Sequence, residues 1–112
     1  MIEVSEEKGI LVAKFTNEDK FNALIAEAVK ETILSYYNKP NTKLIISLEG
    51  IRFIDSSGFS TLLTIMKAAN NNYGEFKICN VAEEVKELFQ VLQLHNIFEI
   101  HDSFNDGIKS FQ

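Results

Sequence analysis

The segment KLIISLEGI, residues 43 to 51, constrains the fold more than any other part of the chain. Its apolar residues follow one another almost without interruption, and three of them are the β-branched residue isoleucine. A strand with one face in water alternates apolar and polar residues, whereas a strand covered on both faces does not. The segment is therefore predicted to form a central strand rather than an edge strand of a sheet.

The segments on either side alternate between strand-like and helix-like patterns. Apolar and β-branched residues predict strands at 2–5, 10–16, 75–81 and 96–102, the first two joined by the turn EEKG. Helical spacing predicts helices from residue 22 to the Asn-Lys-Pro-Asn break at 38–41, from 57 to about 70, and from a start at Asn80 through Val85, Leu88, Phe89 and Leu92, with a helical turn or two at 103–112. The predicted order is β-β-α-β-α-β-α-β-α, which implies right-handed crossovers and a mostly parallel α/β sheet of about five strands.

Several positions within these helices carry predictions of their own. Asn22 is expected to cap the first helix, in which Tyr36 belongs to the apolar face. The second helix is expected to place Thr61 on its polar face. Asn80, with Glu83 three residues later, is typical of a capping box at the start of the third helix.

Composition narrows the classes of protein to which the chain could belong. The 112 residues, 46% of them hydrophobic, predict a single domain over residues 1–112. With 16 acidic and 11 basic residues and no Lys/Arg cluster, direct binding to nucleic acid is not expected. No apolar run approaches about 20 residues and no secretory signal is evident, so we expect a cytoplasmic protein without membrane insertion. The single cysteine, Cys79, is assigned to the core.

The sequence DSSG, residues 55 to 58, stands where the central strand leads into the second helix. Its carboxylate and hydroxyls could cap the helix, attack a substrate or be modified. The Gly-x-Ser-x-Gly spacing of a nucleophile elbow is absent, and the only candidate bases, His95 and His101, lie in the last fifth of the chain. Neither these histidines nor the five glycines have the spacing of a zinc site or a phosphate loop. No catalytic residue, metal or cofactor is predicted.

Helix capping accounts for only part of the DSSG segment. Asp and Ser are preferred N-cap residues, and one such cap contributes about 1 kcal/mol. The segment supplies three polar side chains in succession, followed by a glycine that weakens a first helical turn by roughly 0.5 to 1 kcal/mol relative to alanine. The carboxyl end of a strand leading into a helix is also where α/β proteins usually place function. The surplus of polar groups therefore indicates a second role.

The segment LIISLEGIRFIDSSGFSTLL resembles the signature of STAS domains, and especially of the bacterial anti-sigma factor antagonists. The segment VAEEVKELFQVLQLHNIFEI is similar to the later helix and last strand of that family, and FNALIAEAVKETI is more loosely similar to its first helix. The resemblance covers most of the chain. It implies a STAS-like α/β sandwich with helices packed mainly on one face of the sheet.

The resemblance also implies a function. The serine after the aspartate, Ser56, would be phosphorylated by a partner that is both a serine kinase and an anti-sigma factor, and a protein serine phosphatase would reverse the modification. The unphosphorylated chain would sequester the anti-sigma factor as a binding module without enzyme activity. Helical spacing alone does not decide whether Ser56 or Ser57 is the acceptor, because Ser57 falls on the polar stripe of the second helix and could itself face solvent. The implied contact surface comprises Asp55, Ser57, Gly58, Asn17, Glu18, Asp19 and Lys20.

The loop TNEDKF departs from the family pattern. Antagonists of this kind carry a Gly-Glu-apolar-Asp sequence after the second strand, whereas this loop has Glu18 and Asp19 but no glycine. Because the loop lies near the partner in the family, the departure leaves the identity of the partner open. An alternative interpretation is a constitutive STAS scaffold subunit of a transporter-associated or stress-signalling complex, which docks without phosphorylation. A small hydrolase that uses Ser56 or Ser57 is the third and weakest alternative.

Overall fold

A computed structural model describes all residues from 1 to 112. Seven strands and four helices follow one another along the chain, namely β1 (Ile2–Glu7), β2 (Ile10–Phe15), β3 (Lys20–Phe21), α1 (Ala23–Leu34), β4 (Lys43–Ser47), β5 (Phe53–Ile54), α2 (Ser56–Asn71), β6 (Glu75–Cys79), α3 (Glu83–Val91), β7 (Glu99–His101) and α4 (Phe104–Lys109). None of the four helices combines the length and the apolar character needed to span a bilayer.

The main sheet has five strands in the order β1-β2-β4-β6-β7. The β1–β2 hairpin is antiparallel, and the other neighbouring pairs are parallel. The predicted mostly parallel α/β sheet is therefore confirmed, as is the central place of the strand at its middle, β4. The short strands β3 and β5 pair in parallel with each other outside this sheet.

The continuous apolar run of β4 serves two cores on opposite faces of the sheet. Leu44 and Ile46 belong to the larger core, a cluster of 21 buried residues to which α1, α2 and α3 contribute. Ile45 points to the smaller core, a cluster of six that includes Ile108 of α4 and Phe111 just after this helix. The expectation of helices mainly on one face is thus confirmed, and both faces of β4 require apolar side chains because both are covered.

The smaller core also holds a buried lysine, Lys77 of β6. Its ammonium donates to the carbonyl oxygen of Ser110 at 2.9 Å and to the Ser110 hydroxyl at 2.8 Å. It also lies 3.0 Å from a carboxylate oxygen of Glu99 and 4.2 Å from the centre of the Phe111 ring. These contacts attach the C-terminal segment to the sheet and satisfy a charge that would be costly to bury alone.

Four strands, β2, β4, β6 and β7, and the helix α1 end earlier than the sequence predicts. β4 stops at Ser47, and the chain turns at Gly50, whose φ of +88° suits glycine. The last strand occupies only residues 99–101 of the predicted 96–102, and the hairpin turn leaves β1 two residues longer than predicted. α1 ends at Leu34, so Tyr37 rather than Tyr36 turns into the core and donates its hydroxyl to the carbonyl oxygen of Glu75.

Two predictions about helix faces and caps are wrong. Thr61 is buried, because α1 packs against this side of α2 and the Thr61 hydroxyl donates to the carbonyl oxygen of Ala26 at 3.4 Å. Asn80 does not form a capping box. Its backbone is left-handed, with φ at +57°, its side-chain amide donates to Ser47, and α3 begins after Ala82 without a side-chain cap. By contrast, the predicted Asn22 cap of α1 is confirmed, and so is the placement of Cys79 in the core.

Candidate functional site

The two-stranded sheet β3–β5 brings together the two segments that the sequence singled out. Lys20 and Phe21 pair with Phe53 and Ile54. On either side of this pairing, the Arg52 amide donates to the carbonyl oxygen of Asp19 at 2.7 Å, and the Asp55 amide donates to that of Phe21 at 3.2 Å. The loop at residues 17–20 therefore lies beside the DSSG segment at the start of α2.

Asp55 caps α2 without help from its neighbours. Its Oδ1 accepts hydrogen bonds from the backbone amides of Ser57 at 2.8 Å and Gly58 at 3.2 Å. An N-cap of this kind stabilises a helix by about 1 kcal/mol. Neither serine hydroxyl takes part, so capping explains the aspartate and leaves Ser56 and Ser57 without a role in the helix start.

The two serines face different surroundings. Ser56 is the first residue of α2 and is exposed, and its hydroxyl makes no hydrogen bond within the chain. Ser57 is half-buried and lines a cleft between α1 and α2 together with Glu27 and Lys30. Helical spacing left the two serines equivalent, whereas the packing of α1 makes Ser56 the more accessible hydroxyl. The assignment of phosphorylation to Ser56 stays a prediction that agrees with this geometry.

Gly58 has a packing role. A Cβ atom at this position would lie 2.5 Å from the Phe21 carbonyl oxygen and 2.6 Å from Cγ2 of Ile54. Glycine therefore allows α2 to approach the β3–β5 pair, which places the turn and the loop side by side. Because Gly58 is buried, it supports the surface from beneath, which differs from the expectation that it lies in the contact surface itself.

The residues of the 17–20 loop differ in their exposure to solvent. Asn17, Asp19 and Lys20 are exposed, and Asn17 adopts a left-handed backbone with φ at +58°. Glu18 is half-buried, and its carboxylate binds the amino group of Met1. The exposed part of the loop therefore offers one acidic, one basic and one amide side chain next to Asp55.

A groove beside Ser56 was not found by sequence reasoning. We define the α2–α3 groove as the cavity of about 420 Å³ between these helices, with Ser56 and Ser60 at its polar edge. Its apolar lining includes Phe53, Phe59, Leu63, Leu88, Val91 and Leu92. The helical spacing of Leu88, Val91 and Leu92 is a usable signal, but spacing alone does not distinguish the buried face of a helix from the wall of an exposed groove.

Neither histidine contacts the serines. His101 lies on β7, where its Nε2 is 2.7 Å from Glu99, and His95 is exposed in the turn after α3. Burial raises the pKa of the Cys79 thiol to about 11, and Cys79 packs in the smaller core away from the groove. The side chains next to Ser56 are thus a capping carboxylate, hydroxyls and apolar groups, which suit contact with another molecule rather than activation of a nucleophile.

Comparison with known proteins now identifies the family. The model of the STAS domain matches residues 1–107. The chain belongs to the STAS domain family. This confirms the resemblance carried by the DSSG segment and its flanking strand and helix.

Three relatives illustrate the likeness of this STAS domain to known proteins. The anti-sigma F factor antagonist of Paenibacillus polymyxa is 26% identical over 108 residues, covering 91% of this chain and 86% of the relative. An anti-sigma-factor antagonist (STAS) domain protein from Planctomyces limnophilus superposes with a TM-score of 0.90 at 22% identity, covering 97% of this chain and 96% of its own. SpoIIAA of Bacillus in its phosphorylated form superposes with a TM-score of 0.70 at 15% identity over the whole of both chains. The two structures support the fold.

Proposed function

We propose that this STAS domain is an anti-sigma factor antagonist, switched by reversible phosphorylation of Ser56. In its unphosphorylated form it binds and sequesters an anti-sigma factor that is also a serine kinase, and a protein serine phosphatase restores this form. One observation carries the assignment of the site: Ser56 presents a free, exposed hydroxyl at the start of a helix that Asp55 already caps. The relative from Paenibacillus polymyxa, named as an anti-sigma F factor antagonist, supports the choice of partner.

The location of Ser56 makes a charge switch physically reasonable. A phosphate at the N-terminus of α2 gains roughly 0.3 to 1 kcal/mol from the helix dipole, so the fold survives the modification. A docked partner would meet close to two additional negative charges beside Asp55. Like charges brought together at an interface cost several kcal/mol, and each 1.4 kcal/mol reduces affinity about tenfold. Phosphorylation is therefore sufficient to release the partner.

The proposed contact surface joins the turn and the loop. It consists of Asp55, Ser56 and Ser57 together with the loop from Asn17 to Lys20, which the β3–β5 pairing holds next to the turn. On this proposal the chain is a cytoplasmic binding module and not an enzyme. The surface needs no ligand other than the partner.

The test uses the anti-sigma factor kinase of the organism from which the chain comes. Incubation with this kinase and ATP should add one phosphate to the wild-type protein, measured by intact mass, and none to Ser56→Ala. Ser57→Ala is the matched control for the acceptor, since it removes the neighbouring half-buried hydroxyl and keeps that of Ser56, and its intact mass should still show one added phosphate. Equal labelling of Ser56→Ala and wild type would exclude Ser56 as the acceptor.

The constitutive scaffold differs from this proposal in one measurable property. The protein isolated from its own cells should contain a phosphorylated fraction if the switch operates. A protein that is never phosphorylated under any growth condition, yet co-purifies with a membrane-associated complex, would favour the scaffold. The loop TNEDKF is the sequence feature that motivates this second candidate.

A further inference from the structure

The α2–α3 groove exposes an unusual amount of apolar surface next to Ser56. Phe53, Val91 and Leu92 are 46%, 78% and 51% exposed, although they are large hydrophobic residues. All three line this one groove, and Ser56 lies at its edge. Concentrated exposed apolar surface on a small domain indicates an interaction site.

Acidic side chains border the groove. Glu84 and Glu87 are exposed on α3, each one helical turn before a groove residue, Leu88 or Val91. Asp55 lines the groove at its other side. Glu84 is paired with Arg52, the basic residue nearest in sequence to Phe53, at 2.6 Å, so these two charges offset each other and the remaining charge comes from Glu87 and Asp55. The free charge around the apolar surface is therefore negative.

This charge decides which occupant the groove suits. Two copies of this chain docked through their grooves would bring two acidic borders together, and each copy carries a net charge of −5. Like charges at an interface oppose such pairing. A partner whose apolar side chains are flanked by Lys or Arg would fill the groove and also neutralise its border.

We propose that the α2–α3 groove receives an amphipathic helix of the anti-sigma factor, with aliphatic or aromatic side chains along one face and basic residues at its flanks. This inference rests on the proposed function and specifies how the partner is held. A helix laid in an apolar groove is a common mode of recognition, and the apolar wall that α3 and its C-cap Leu92 supply, at positions 88, 91 and 92, follows helical spacing.

The position of Ser56 gives the groove a role in the switch. A partner helix seated there excludes water from the edge where Ser56 lies, and a charge on that hydroxyl is opposed more strongly when water is excluded. The apolar contacts supply affinity for the partner, and a phosphate on Ser56, at the edge of the same groove, lowers that affinity. A phosphorylated Ser56 and an occupied groove therefore oppose each other.

The experiment measures the affinity of the unphosphorylated protein for its own organism's anti-sigma factor. Val91→Ser and Leu92→Ser should each raise Kd about tenfold, and both should fold because these side chains are largely exposed. Glu87→Lys should weaken the complex and reduce its dependence on salt concentration. The control is Tyr73→Asn, which removes a side chain that is 84% exposed beyond the other end of α2 and should leave Kd unchanged.

The outcomes separate this inference from the proposed function. If wild type binds but the groove variants bind equally well, and Ser56→Asp alone weakens the complex, the groove is not the docking site and the antagonist function stands. If wild type fails to bind at all, both proposals fall. A dimer in sedimentation equilibrium that Val91→Ser dissociates would assign the groove to a second copy and overturn the inference.

Discussion

The substitution Gly58→Ala tests whether packing or helix propensity governs the start of α2. A methyl group at residue 58 would lie 2.5 Å from the Phe21 carbonyl oxygen and 2.6 Å from Cγ2 of Ile54. Carbon atoms in favourable contact are about 3.5 to 4.0 Å apart. Because a backbone carbonyl in a paired strand cannot rotate away, α2 must move from β3 and β5 by about 1 Å.

Two contributions of opposite sign set the expected stability of Gly58→Ala. Replacing glycine by alanine inside a helix stabilises by about 1 kcal/mol, whereas overpacking a well-filled interior costs about 1 to 3 kcal/mol. The contact distances place this site towards the upper end of the overpacking range, so we expect a net loss of about 1 to 2 kcal/mol. In a domain of this size that loss lowers Tm by about 5 to 10 °C.

Circular dichroism, recorded during thermal and urea denaturation, measures this loss of unfolding free energy. Ser60→Ala is the matched control: it lies in the same helix, it is exposed, and its hydroxyl makes no hydrogen bond, so only helix propensity acts. That variant should be as stable as the wild type or slightly more stable. A Gly58→Ala protein as stable as Ser60→Ala would refute the close approach of α2 to the β3–β5 pair.

Three further predictions concern the switch and the smaller core. Ser56→Asp should weaken binding of the anti-sigma factor at least tenfold while leaving Tm nearly unchanged, because the added charge lies at an exposed helix N-terminus; a large fall in Tm would show that Ser56 is structural. Lys77→Met should lower the unfolding free energy by about 1 to 3 kcal/mol, since it removes both hydrogen bonds to Ser110. It should also speed amide hydrogen exchange in residues 104–109, and unchanged exchange there would contradict the anchoring role of Lys77. Cys79 should not react with a disulfide reagent at about pH 8 until the protein unfolds, because burial raises its pKa to about 11; rapid reaction of the native protein would contradict that burial.

The order of elements was predictable because each long segment has a pattern of apolar residues typical of a strand or of a helix. The run at β4 identified the central strand, since both faces are covered and its residues alternate between the two cores. The strands β3 and β5 could not be predicted in the same way. Each has only two residues, which is too short for any period, and each exists because the other provides its hydrogen-bond partner.

The errors at single residues have a common physical cause. Thr61 has a polar side chain, so spacing placed it in water, but α1 covers that side of α2 and supplies the Ala26 carbonyl as an acceptor. Asn80 matched a capping pattern, but a contact with Ser47 of the neighbouring strand holds its side chain. In both cases tertiary packing overrode a local preference of ordinary strength. The α2–α3 groove was missed for a related reason, because it exists only where two helices and β5 meet.

The hydrogen bonds at the start of α2 indicate where a phosphate on Ser56 would be held. A helix leaves its first four backbone amides without partners inside the helix, and here three of the four are taken. The Asp55 amide donates to Phe21, and those of Ser57 and Gly58 donate to the Asp55 carboxylate. Only the amide of Ser56 itself is free, so a phosphate there gains few local hydrogen bonds and has little reason to fold back onto the helix. Its charge therefore stays exposed at the edge of the groove, where a docking partner would meet it.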